Sequence, residues 1–145
     1  MTARVSGYDV MKRKTTAALN DLVASSRHEE EQLQVAVITL LEASRSPGVV
    51  YWHTPNGGKR GIREAVRFKR MGVLAGVSDI IISLPGGRMA YLELKSRRGR
   101  VSEEQKAFLA GMEANGHRTG MAHTLGEAAC FLSDVGAIRG AKVAA

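Results

Sequence analysis

Apolar and polar positions alternate along this chain with a period that changes several times. Over residues 29–43 the run EEEQLQVAVITLLEA puts Leu33, Val37, Leu40 and Leu41 on one face of a 3.6-residue repeat. It opens on acids, which favour a helix N-terminus, and so predicts a helix. Gly48 breaks the pattern, and residues 49–52 read as a short strand entering a turn-rich loop that runs from His53 to Gly58. Residues 62–71 predict a short basic helix or turn ended by Gly72. Residues 78–84 are rich in β-branched side chains, Pro85-Gly86-Gly87 supplies a turn, and 88–95 resume as a second strand, which together predict a β-hairpin. Ser102 with Gln105 three residues on has the spacing of a capping box, starting a helix that reaches about Ala114 before Gly116 stops it. A fourth strand is expected over 118–123 and a short helix over 125–132, with Cys130 as a buried thiol. No internal repeat is visible.

The order helix, strand, strand, strand, helix, strand, helix predicts an α/β fold in which helices cover a mixed sheet. Residues 1–28, with the KRK triplet Lys12, Arg13, Lys14 and only a weak helical stretch, read as an N-terminal arm. Residues 29–133 read as the folded domain and 134–145 as a loose tail.

The hairpin also predicts a meeting of charges. If its turn centres on Gly86, Asp79 falls opposite Glu93, and the period of two along a strand puts Glu93 and Lys95 on one face while Leu92 and Leu94 take the other. Two carboxylates across a ladder repel, so the pair requires a cation. Hard oxygen donors without a His or Cys cluster suit Mg²⁺ or Mn²⁺ rather than zinc. Such a centre provides what phosphodiester hydrolysis needs: polarisation of a phosphoryl oxygen, activation of a water and shielding of developing charge, with Lys95 as an added cation. Glu-x-Lys by itself is a common pattern on surface strands; the aspartate across the turn and the surrounding basic segment raise it above that.

Charge distribution points the same way. The net charge is +7, and residues 59–100 hold eleven of the 21 Lys and Arg against only Glu64, Asp79 and Glu93, a local excess of +8. The rest of the chain is nearly balanced, so the positive charge surrounds the hairpin and attracts a polyanion. Lys59, Arg60, Arg63, Arg97, Arg98 and Arg100 flank the acids in sequence and are the expected phosphate contacts, which position DNA without reading bases. Apolar residues make up 44% of the chain, the balance of a globular protein, and no apolar run is long enough to span a bilayer or serve as a secretory signal. A cytoplasmic, non-secreted protein without membrane association is expected, and one cysteine excludes an internal disulfide.

The stretch GVSDIIISLPGGRMAYLELKSRRGRVSEEQKAFLAGMEANGHR, with EEEQLQ in the first helix and HTPNGGKR in the loop, resembles the virus-type replication-repair nuclease (VRR-NUC) family of the PD-(D/E)XK superfamily. The resemblance covers about residues 29–132 and implies a restriction-endonuclease-like core of order αβββαβ. It implies that Asp79 and Glu93 bind the metal together with the backbone carbonyl of Leu94, and that Lys95 is the catalytic lysine. Gln105 matches the family's glutamine after the motif, although its place in a capping box is an equal explanation. Glu30 resembles the superfamily's first-helix glutamate that contacts metal-bound water, while Glu29 and Glu31 are expected to point elsewhere; all three acids also complement the helix dipole. Asn56 matches a loop residue that contacts substrate, and both it and His53 have an alternative as turn residues. Ser78 stands where the superfamily name has proline.

The activity implied is a Mg²⁺- or Mn²⁺-dependent deoxyribonuclease, structure-selective for branched DNA such as four-way junctions, acting as a homodimer in a bacterial or phage setting. A flap- or site-directed nuclease of the same fold, or a DNA-binding module with an idle centre, is the alternative. A nucleotide-phosphate loop at residues 72–76 is disfavoured, because those glycines precede a strand instead of following one.

Overall fold

The structure, a computed structural model, describes residues 7–55 and 60–140, with the side chains of residues 7–17 outside that description. The elements are α1 (Gly7–Ser44), β1 (Val50–His53), α2 (Ile62–Arg70), β2 (Ile80–Leu84), β3 (Arg88–Leu94), α3 (Glu103–Ala114), β4 (Arg118–Ala122) and α4 (Leu125–Asp134). The four strands form one sheet in the order β1-β2-β3-β4, antiparallel at the first two junctions and parallel between β3 and β4. This is the mixed α/β arrangement expected. The parallel pair follows from α3, which carries the chain back across the sheet between β3 and β4.

One face of the sheet makes the core. Ile80, Ile82 and Leu84 of β2 and Ala90, Leu92 and Leu94 of β3 are buried there with Val37 and Leu41 of α1 and Ala128 and Leu132 of α4. Val37 and Leu41, four residues apart, lie one above the other on the helix face that the 3.6-residue repeat selects. The opposite face carries α3, where the Tyr91 and Phe108 rings meet edge to face at 5.3 Å.

Three features differ from expectation. The first helix does not start near Glu29 but runs from Gly7 as one element, so the described part of the arm is helical. Leu19, Leu22 and Val23 on that extension are more than half exposed. A helical segment that buries little carries no apolar stripe by which a sequence could show it. The C-terminal segment is not loose from residue 134: Val135, Ala137 and Ile138 are buried in the core. Gly136 ends α4 with a positive φ of 79°, the Ala137 amide donates to the Leu132 carbonyl, and the chain turns back to bridge Arg45 through Ile138. Cys130 is exposed, not buried, because Ala128 and Leu132 on either side of it in α4 take the inward face.

Candidate active site

The hairpin register is the one the turn predicts. Ile80 pairs with Leu92, Ile81 with Tyr91 and Ile82 with Ala90. Extended by one residue, this register sets Asp79 across from Glu93 on the face that also bears Tyr91. Elsewhere on that face β2 and β3 are half-buried, but Glu93 is only 1% exposed. A carboxylate so deep in a sheet is costly unless its oxygens find partners.

Its two oxygens are treated differently. Glu93 Oε1 accepts from Lys95 Nζ at 2.9 Å and from Gln105 Nε2. Glu93 Oε2 is buried and has no hydrogen-bond partner among the described residues. Burial, and then the nearby Asp79 carboxylate, push the Glu93 carboxyl up to about 7, against the pull of Lys95. Burial also raises Asp79, partly offset by the backbone amide of Leu94 and by the charge of Lys95. Both acids therefore sit where negative charge is under-compensated, and a hard cation is the group that would satisfy them.

Gln105 resolves the choice between cap and site by filling both places. Its Oε1 accepts from the Ser102 amide at 2.8 Å, completing the capping box with Ser102 Oγ, while its Nε2 reaches Glu93. The amide has one acceptor end and one donor end, so the helix start and the carboxylate are tied through a single side chain. Leu94 contributes in a way the sequence did not indicate: its amide donates to Asp79 Oδ2 at 2.8 Å.

Glu30 comes to the site from α1. Its Oε1 accepts from the Ser96 amide at 3.2 Å, and its charge raises both Asp79 and Glu93. Glu29, expected to point elsewhere, accepts from the Arg97 amide at 3.4 Å, because the turn after β3 presents successive amides to successive α1 acids. Ser26 Oγ, also on α1, lies 2.7 Å from Ser96 Oγ. His53 has a structural role: its Nδ1 donates to the Asp79 carbonyl at 2.8 Å. Ser78 is fully buried with its hydroxyl unpartnered among the described residues.

Among the expected DNA contacts, Arg60, Arg63, Arg97, Arg98 and Arg100 are described and exposed, whereas Asn56 and Lys59 lie outside the described residues. Arg67, Lys69 and Arg70, passed over as individual contacts, lie with Arg63 on α2, which buries no residue at all. The signal was present in their spacing, since Arg63, Arg67 and Arg70 fall on one helical stripe. No group of three or more His, Cys, Asp or Glu suited to a metal occurs among the described residues, so the centre is a pair of carboxylates with a lysine and a glutamine.

A model of the VRR-NUC domain matches residues 28–124, about two-thirds of the chain. The chain belongs to the VRR-NUC family. That is a nuclease-type family, and the match spans Glu30, Asp79, Glu93, Lys95 and Gln105. Among solved structures, the VRR-NUC chain resembles a "VRR_NUC domain protein" at 22% identity and a TM-score of 0.59, covering 72% of this chain and 85% of that one. It also resembles a second structure titled "VRR_NUC domain" at 14% identity and a TM-score of 0.50, over 72% and 95% of the two chains. At these identities the likeness is one of fold. No functionally curated protein matches.

Proposed function

We propose that this VRR-NUC protein is a Mg²⁺- or Mn²⁺-dependent DNA endonuclease selective for branched DNA. The observation that carries the reading is Glu93 Oε2, a buried carboxylate oxygen without a partner among the described residues, beside a second carboxylate whose acidity burial has weakened. Asp79 and Glu93 would hold the cation, with the Leu94 carbonyl as a backbone ligand. Once bound, the metal supplies Lewis acidity toward a phosphoryl oxygen and lowers the pKa of water.

The chain's own residues do the rest. Lys95 and Gln105 both hold Glu93 Oε1, which fixes the carboxylate plane and leaves Oε2 as its open donor. The Leu94 amide fixes Asp79 through Oδ2 in the same manner. Lys95 Nζ is the cation placed to orient the attacking water and to stabilise charge on the phosphate. Glu30 aligns the turn after β3 through Ser96 and adds negative charge beside the pair. Arg60, Arg63, Arg97, Arg98 and Arg100 hold the backbone of DNA, together with Asn56 and Lys59. One chain carries one centre, so paired cuts across a junction require a homodimer.

Plasmid, linear duplex and a synthetic four-way junction incubated with the protein, with Mg²⁺, with Mn²⁺ and with EDTA, test this. The expected result is cleavage of the junction in either metal, none in EDTA, and a loss of at least about 10³-fold in Asp79→Ala and Lys95→Ala, the scale of losing a principal charge-stabilising group. Junction binding without cleavage in any divalent metal would make the chain a DNA-binding module on a nuclease fold.

A further inference from the structure

A cavity of about 1070 Å³ lies beside the carboxylate pair, between α3 on one side and α2 with the loop 72–76 on the other. That is as large as ordinary ligand clefts, which run to about 1,000 Å³. It is linked to the centre through its edge: Gly76 and Glu104 line it, Gly76 packs against the backbone of Glu104 and Gln105, and Gln105 Nε2 donates to Glu93.

Its surface is mainly apolar, from Phe68, Leu74, Phe108 and Met112, with Arg60 and Lys69 also lining it. The neighbouring surface is exposed in a way that a free protein does not favour. No residue of α2 is buried, Ile62 is 86% exposed, and Val66 and Leu74 are more than half exposed. A nine-residue helix so weakly covered gains little from packing and gives a partner an apolar surface. Charge decides which partner. Arg60 and Lys69 line the groove against the single acid Glu104, and Arg63, Arg67 and Arg70 on another side of α2 add positive charge nearby, which favours a polyanion.

The occupant must therefore combine negative charge with flat apolar faces. A nucleotide does so only when unpaired, because in a duplex the base faces are covered by their neighbours. The guanidinium of Arg60 already lies 4.5 Å from the Phe68 ring centroid, so this ring face takes a planar group, and base and guanidinium stack on aromatics alike. We propose that the groove between α2 and α3 seats unpaired nucleotides of a DNA strand beside the phosphate addressed by Asp79 and Glu93. This rests on the reading of the chain as a DNA-acting protein, and it gives that reading a physical basis for preferring branched or gapped DNA over continuous duplex.

The test separates seating from cutting. In EDTA, a gapped DNA with 2-aminopurine at the unpaired position and a matched duplex are titrated with the wild type, Phe68→Ala and Leu74→Ser, with folding followed by circular dichroism. Leu74 is exposed, so its variant should fold even if the half-buried Phe68 is less tolerant. The expected result is a change in 2-aminopurine fluorescence with the wild type and about a tenfold loss of affinity for gapped DNA in both folded variants, with duplex affinity within about twofold. Equal losses for both DNAs, no loss for either, or unchanged fluorescence with the wild type would overturn the proposal. So would sedimentation showing that these variants split a dimer, since a second copy would then occupy the groove. Seating without cleavage in metal would leave this inference standing and remove the nuclease reading.

Discussion

At the scale of single residues, Glu93 is where the sequence gives up stability for a site. An ordinary strand would carry an apolar or half-exposed side chain there, whereas a carboxyl 1% exposed titrates near 7 in place of its usual 4.5 because burial and Asp79 oppose its charge. The folded chain holds that proton more tightly than the unfolded chain does. The contribution to stability is therefore complete below 4.5 and is lost as the pH rises through about 7. In EDTA the melting temperature should fall between about pH 5 and pH 8, and Glu93→Gln should flatten that fall while abolishing metal-dependent cutting. A wild-type melting temperature that rises over this range would contradict the assignment. The chemical identity of Asp79, Glu93 and Lys95 was legible in the sequence because alternation and one turn suffice to bring them together. The site contact of Gln105 was expected only through the family resemblance, since a capping box explains the same two residue types without any reference to β3.

At the scale of elements, the hairpin set the site and α3 completes it. Its register could be read in advance because Pro85-Gly86-Gly87 leaves one way for the strands to meet, and a slip of one residue would turn Asp79 and Glu93 toward opposite faces. The long α1 could not be read, since residues 18–28 bury no side chain in the core. How closely α3 approaches the strands is set at Gly76, whose φ is +82°. A Cβ there would overlap the Glu104 carbonyl and the Gln105 amide, both backbone atoms that cannot swing aside. Gly76→Ala should cost about 2–4 kcal/mol, from overpacking and the left-handed conformation together. Urea denaturation measures this, and a variant as stable as the wild type would show that α3 is not seated on that glycine. The folded fraction should cut slowly, because moving α3 draws Gln105 from Glu93.

At the scale of the whole molecule, positive charge and the carboxylate pair occupy the same stretch of the chain. Asp79 and Glu93 would repel DNA if left bare, yet they lie within the segment that holds the +8 excess. A bound divalent ion would offset the two carboxylate charges, leaving Lys95 and the surrounding basic residues to face a polyanion. The fold also explains why the acids can tolerate their position: the buried residues of β2 and β3 on the core face are apolar, and the opposite face leaves room under α3 for a polar cluster. No described helix is long and apolar enough to cross a membrane. Calorimetric titration of the metal-free protein with Mn²⁺ at about pH 8, above the value of about 7 to which the Glu93 carboxyl is pushed, tests the carboxylate pair most directly. Saturable binding of one or two ions per chain, lost in Asp79→Asn and in Glu93→Gln, is the predicted result; no binding by the wild type, or the same heats from both variants, would contradict it.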